Sequence, residues 1–283
     1  FMQAIRTAGQ KQLSAKLSSV ATAGVRYLYA LPFAWGYLYW VWQATGVDLP
    51  SLNTTFVQYA SIASVSQLIG TACLVAAFKY RNFAVATSLA KTEAIQVAAI
   101  GALLFAAPLT SFGWFSVIVG VVGVILLSKV KFSLRDLFAN PGAGYGLASG
   151  LGLAITTLLI RESSLALNTH LMLSAAVTLV FLVTVQSVLS VVYLMLKDRR
   201  QLSLMVINWR LSLFVGITSV LGSIGWFTAA SYQNAAYVKA LGQIEIFFTL
   251  FITYRVFKER MSLKELFGMV CILMSVIVLL LWA

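Results

Sequence analysis

Apolar residues dominate this chain in runs of about 20, each separated from the next by a short polar or basic connector. A run of that length, wound as a helix rising about 1.5 Å per residue, crosses the roughly 30 Å hydrocarbon layer of a bilayer. The pattern predicts ten spans: Phe1 to Leu17, Val20 to Trp42, Thr54 to Ala77, Asn82 to Ala106, Thr110 to Ser128, Ala143 to Leu165, Thr169 to Met195, Leu211 to Ala230, Asn234 to Phe257 and Leu263 to Trp282. The fold class is therefore all-α and polytopic. A soluble fold of 283 residues could not hide so many apolar faces. The first span is short and the chain starts at Phe1, so a few further residues are expected before it.

The chain also repeats itself. At an offset of 152, Tyr80, Asn82, Ala84, Leu89 and Glu93 fall on Tyr232, Asn234, Ala236, Leu241 and Glu245. Gly70, Ala77, Ile100 and Phe105 fall on Gly222, Ala229, Ile252 and Phe257. At an offset of 150, Ala4, Ile5, Thr7, Ser14 and Leu17 match Ala154, Ile155, Thr157, Ser164 and Leu167, and Lys11 faces Arg161. Two five-span repeats, 1–128 and 142–283, are joined by a basic connector, 129–141, that ends in Asn-Pro-Gly. Because five is odd, the second copy enters from the opposite side, and the repeats are expected to be inverted.

Sixty per cent of the residues are hydrophobic and ten per cent charged, yet the net charge is +12. Placement decides what that charge means. Nearly all loop Lys and Arg, among them Lys79, Arg81, Lys129, Lys197, Arg199, Arg200 and Lys258, fall on one side of the predicted bundle, and Arg161 is almost alone on the other. Retention of basic loops in the cytoplasm accounts for this and leaves no case for a nucleic-acid partner. Both termini are then expected outside the cytoplasm, in a bacterial inner (plasma) membrane. Cys73 and Cys271 lie inside apolar segments and His170 stands alone, so neither a disulfide, a metal site nor any other cofactor is expected.

The chemistry lies in ionisable residues at mid-membrane depth. Glu93 and Glu245 each sit 11 residues into equivalent spans, about 16 Å deep. An unpaired charge there costs about 3 kcal/mol, so each needs a cation, a proton or water. Arg6 is the partner expected for them, from a first helix whose Gln3, Thr7, Gln10 and Ser14 share roughly one face with it. Thr87 and Lys91 in one repeat become Lys239 and Gln243 in the other, one lysine and one neutral hydrogen-bonding residue in swapped order. Lys91 and Glu93 are about 200° apart around their helix and cannot pair directly. Arg6, Gln10, Lys91, Glu93, Lys239, Gln243 and Glu245 are thus expected to line a central cavity for a solute or a coupling proton. The competing reading is a set of ion pairs that only hold helices in register. Arg26 is expected to snorkel towards the interface. Gly142, Gly146 and Gly150, and Gly113, Gly120 and Gly123, form stripes expected to serve close helix packing. Tyr37, Tyr39, Trp40 and Trp42 suit an interfacial aromatic belt.

Ten spans in two repeats, with Arg6-Thr7-Ala8-Gly9-Gln10-Lys11, Arg26-Tyr27-Leu28-Tyr29, Lys258-Glu259-Arg260 and Gly268, resemble the drug/metabolite transporter superfamily, specifically its EamA-type transporters. The resemblance implies a basket of spans one to four and six to nine around a cavity, with spans five and ten outside. Two features depart from the family pattern: Ala106-Ala107-Pro108 replaces a glutamate that often closes the fourth span, and many members have cytoplasmic termini. The function expected is secondary transport of a small polar or amphipathic metabolite by alternating access, as exporter or exchanger, with a proton as the candidate coupling ion; the oligomeric state is left open. The alternatives are a membrane enzyme acting on lipid or isoprenoid substrates, which would need clustered His, Asp or Cys near an interface, and a non-transporting scaffold. No Gly-x-x-x-x-Gly-Lys-Ser/Thr loop is present, which argues against ATP-driven pumping by this chain alone. A topology reporter fused after Ala283 is expected to be active only outside the cytoplasm; cytoplasmic activity would reverse the orientation.

Overall fold

The computed structural model describes residues 2–77, 89–90, 92–105, 109–127, 141–244 and 263–282, and all that follows concerns these. Lys91, Glu245, the basic connector 129–140 and Lys258-Glu259-Arg260 lie outside them. The fold is all-α: α1 Met2–Leu13, α2 Ser19–Leu28, α3 Leu31–Thr45, α4 Thr54–Ala77, α5 Glu93–Leu104, α6 Ser111–Leu127, α7 Pro141–Ala166, α8 Leu171–Lys197, α9 Arg200–Ile207, α10 Trp209–Tyr232, α11 Ala235–Gly242 and α12 Leu263–Trp282. By length and composition α4, most of α7, α8 and α10 can each cross a membrane, and α5, α6 and α12 contain shorter apolar helices. Their outward faces are apolar, with Ile69, Leu103, Phe112, Val188 and Leu281 all exposed. In water that surface would be unstable; against lipid tails it is the ordinary state.

Helix limits follow local chemistry. Ser18 caps α2 by accepting from the Ala21 N–H at 3.2 Å. Asn53 accepts from the Phe56 N–H at 2.8 Å and donates to the Ala166 carbonyl at 2.6 Å, tying the start of α4 to the end of α7. Gly46 ends α3 in the left-handed conformation, φ 62°, where a glycine carries no Cβ penalty. The second span is not the continuous helix expected from Val20 to Trp42, because the chain turns at Tyr29 and Ala30 between α2 and α3. Pro32 is the cause: it has no N–H to donate and its ring crowds the carbonyl four residues back. Beyond the break, Trp35, Tyr39 and Trp40 are exposed, and Tyr37 and Trp40 stack with ring centroids 6.3 Å apart, as a belt at the lipid interface requires. The short helix α9 was not anticipated. It packs Met205 into the cluster of Leu13, Leu17, Val25 and Val215, while the Met205 carbonyl accepts from the Tyr29 hydroxyl at 3.1 Å.

The most extensive contact in the bundle is α4 on α7, then α6 on α12; α1 packs on α10, α5 on α11, and α8 on both α2 and α3. The first of these is a backbone-to-backbone crossing. A Cβ placed on Gly152 would lie 3.0 Å from the Gly70 Cα and from the Ser66 carbonyl oxygen. The α6–α12 contact uses the expected stripe: Gly123 abuts the Gly268 carbonyl and Ile272, and Ser116 and Ser275 each donate to the other's backbone carbonyl, at 2.8 and 2.7 Å. Gly142, Gly146 and Gly150 are likewise buried along α7.

Gly152→Leu should separate α4 from α7 and cost about 1–3 kcal/mol or prevent folding altogether. Gly144→Ala, where a Cβ would meet nothing within 4 Å, should be neutral or stabilise by up to about 1 kcal/mol. Thermal unfolding in detergent compares the pair, and equal melting temperatures would remove the crossing from this account.

Candidate functional site

Two turns at helix ends, one before α5 and one after α11, build the site. Thr92 lies in a turn immediately before α5, held by its hydroxyl donating to the Leu89 carbonyl at 2.6 Å, so that Glu93 opens the first turn of α5. In the other half, α11 ends at Gly242 and the chain passes through a turn at Gln243 and Ile244, with Lys239 in the last helical turn. At the 152-residue offset Gln243 and Ile244 correspond to Lys91 and Thr92, so the two turns occupy equivalent positions. An α-helix presents partial positive charge at its start and partial negative charge at its end. Glu93 and Lys239 each stand at the end that favours their charge.

They face one another. The Lys239 Nζ lies 2.5 Å from the Glu93 Oε1, with 15% and 14% of the two side chains exposed. The Thr157 hydroxyl of α7 lies 3.4 Å from the same carboxylate oxygen while donating to the Leu153 carbonyl at 2.9 Å. From α10, the Trp226 ring receives the ammonium 4.3 Å from its centroid. Trp226 is itself seated against Gly242, where any side chain would collide with it. Carboxylate, hydroxyl, ammonium and indole thus come from four helices, α5 in one half of the chain and α7, α10 and α11 in the other. The cation beside Glu93 is Lys239, brought there because α5 and α11 pack together.

Arg6 and Gln10 are buried in α1, which packs on α10. Gln243 is buried as well, but its side chain turns away to Gly120 of α6 and Ser275 of α12. Once α11 ends, the i to i+4 spacing from Lys239 no longer sets a common face. Lys91 and Glu245 lie outside the described residues. Thr157 and Trp226 were not singled out from sequence: a mid-helix threonine and a tryptophan six residues from the end of α10 read as ordinary packing and belt residues.

A second polar cluster joins α2, α4 and α8. Arg26, expected to snorkel, is instead buried at 8% exposure and donates to the Thr71 hydroxyl at 3.2 Å, because α2 is enclosed by α4, α8 and α10. The Tyr27 hydroxyl reaches Thr71 at 3.0 Å, and the Gln186 amide donates to the Gln67 side chain at 2.8 Å and the Ser64 carbonyl at 3.2 Å. At the opposite end Arg161 donates to the carbonyls of Ala230 at 3.1 Å and Gln233 at 2.5 Å, closing the C-terminus of α10.

Comparison with known proteins agrees with this architecture. A family model described as the EamA-like transporter family matches residues 1–129 and 140–281. A solved structure titled "Crystal structure of protein" superposes with a TM-score of 0.70 at 14% identity, covering 100% of this chain and 95% of its own, a likeness of fold alone. No curated protein matches the sequence.

Glu93→Gln and Lys239→Met should each destabilise the protein by about 2–4 kcal/mol, because each strands a partly buried charge. The double variant should lose about 1–3 kcal/mol less than the sum of the two. Strict additivity in denaturation would mean that the two groups do not interact.

Proposed function

The chain belongs to the EamA-like transporter family, and from that premise we propose that it is a secondary transporter carrying a small polar or amphipathic metabolite by alternating access of two inverted five-helix halves. Membership implies membrane transport of small solutes and a non-enzymatic protein. The finer reading draws its support from the site: the Glu93–Lys239 pair joins the first half to the second at equivalent turns. Interrupted helices whose ends point into a bundle are a recurrent way of holding a charged group at mid-membrane depth. The pattern of contacts fits the same symmetry. Exchanging the halves carries the α4–α7 pair onto α10–α1 and leaves α6–α12 as a pair of equivalents. Two separate matches of one family model, on either side of residues 130–139, support division at the basic connector.

The repeats also assign different work to the two glutamates. By the offsets, the counterparts of Lys239, Trp226 and Thr157 are Thr87, Leu74 and Thr7. The first half thus offers a threonine and a leucine at the positions equivalent to Lys239 and Trp226, with neither ammonium nor indole. Glu93 is then the structural and solute-facing carboxylate, and Glu245 the group free to exchange a proton. With the basic loops held inside, this reading sets both termini outside a bacterial inner membrane.

The test is uptake of a metabolite panel into proteoliposomes, with and without a pH gradient. Wild-type protein should move at least one solute faster with the gradient. Glu245→Gln should abolish that dependence and leave gradient-free exchange largely intact. A gradient response that persists in Glu245→Gln would refute Glu245 as the coupling group, and transport of no solute would count against the reading as a whole.

A further inference from the structure

We infer that the pocket formed by Glu93 and Trp226 is a subsite for an organic ammonium group, and that Lys239 is its resident occupant, displaced when an amine-bearing solute enters. The inference rests on the transporter reading above and adds the chemical class of the solute. Its basis is the combination of groups around one nitrogen. The Lys239 Nζ has a carboxylate oxygen at 2.5 Å and an indole face at 4.3 Å. An aromatic face attracts cations through its quadrupole, most strongly when water is partly excluded, and tryptophan does so best. A carboxylate adds charge and a directional acceptor. A lysine needed only to neutralise Glu93 requires no aromatic platform, and Trp226 is set by its close seat on Gly242.

The opposite assignment, Lys239 as the receptor for an anionic solute, fits the site less well. An anion drawing Lys239 away would leave Glu93 uncompensated beside it, and the electron-rich face of Trp226 would repel it too. An arriving amine replaces the ammonium charge for charge at Glu93 and Trp226, and the displaced Lys239 ammonium then has to be met by water or by an acidic group of the solute. Neither side chain is fully enclosed, with 15% and 14% exposed. Tethering gives Lys239 a high effective concentration, so the wild-type protein should bind amines only weakly, and removing the tether should strengthen binding.

Three probes of one shape separate the charge classes: benzylamine as cation, benzyl alcohol as neutral isostere and benzoate as anion. Binding to the full detergent-solubilised chain is read by calorimetry and by the shift in melting temperature. Lys239→Met should bind benzylamine at least tenfold more tightly than wild type and should gain nothing for benzoate. The double variant Glu93→Gln, Lys239→Met should lose saturable benzylamine binding. If Lys239→Met cannot be purified, Trp226→Leu with Lys239 in place should weaken benzylamine binding several-fold relative to wild type. Unchanged or weaker benzylamine binding in Lys239→Met would overturn the inference, as would benzoate binding in wild type that this substitution abolishes. Because these measurements need no transport, their failure leaves the proton-coupled uptake test independent.

Discussion

Inside a bilayer no water is at hand to satisfy a charge, and everything distinctive about this bundle follows from how it houses Glu93 and Lys239. An isolated charge at the bilayer centre is worth roughly 3 kcal/mol against insertion. Each helix end can return about 0.3–1 kcal/mol to a correctly placed charge, and a partly desolvated cation on an indole about 1–2 kcal/mol more. Placement at two helix ends, the indole and the Thr157 hydroxyl add to the ion pair itself in offsetting that cost. Those groups come from both halves of the chain, so the halves must dock in a single register for either charge to be accommodated.

Elsewhere the interior polar groups are handled with less demand on partners. Many buried hydroxyls turn back on their own helix: Ser64 to the Ala60 carbonyl, Thr156 to Gly152, Ser163 to Leu159, Thr178 to Ser174 and Ser231 to Phe227. A hydroxyl satisfied in this way can enter a tight helix interface as though it were a small apolar residue. Other side chains, among them Ser116 with Ser275, Gln186 with Gln67, and Arg26 and Tyr27 with Thr71, bond to another helix and help fix which helices meet. Helix approach is set by small residues, while partner choice is set by these sparse polar bridges.

Much of this was legible in the residues. Hydropathy located α4, α7, α8, α10 and α12 within about two residues at each end, because a long apolar run in a membrane has few alternatives to helix. The glycine stripe of α6 announced its packing role by spacing alone. Other features, besides α9 and the burial of Arg26, were not read correctly or at all. Pro32 should have divided the second span, and the surrounding apolar run concealed it. The turns at Thr92 and Gln243–Ile244 carry no Pro or local signal of that kind. The pairing of Glu93 with Lys239 depends on α5 lying against α11, a long-range fact that no local periodicity encodes, and Trp226 joins them for the same reason.

The crossing of α4 and α7 at Gly70 and Gly152 has a mechanical consequence. Interlocked side chains resist rotation, since turning one helix against the other would force every tooth out of its groove. Bare backbones meeting at a pair of glycines have no teeth to disengage. Because α4 belongs to the first half of the chain and α7 to the second, a change of crossing angle there would become ångström-scale displacements at the far ends of two helices 24 and 26 residues long.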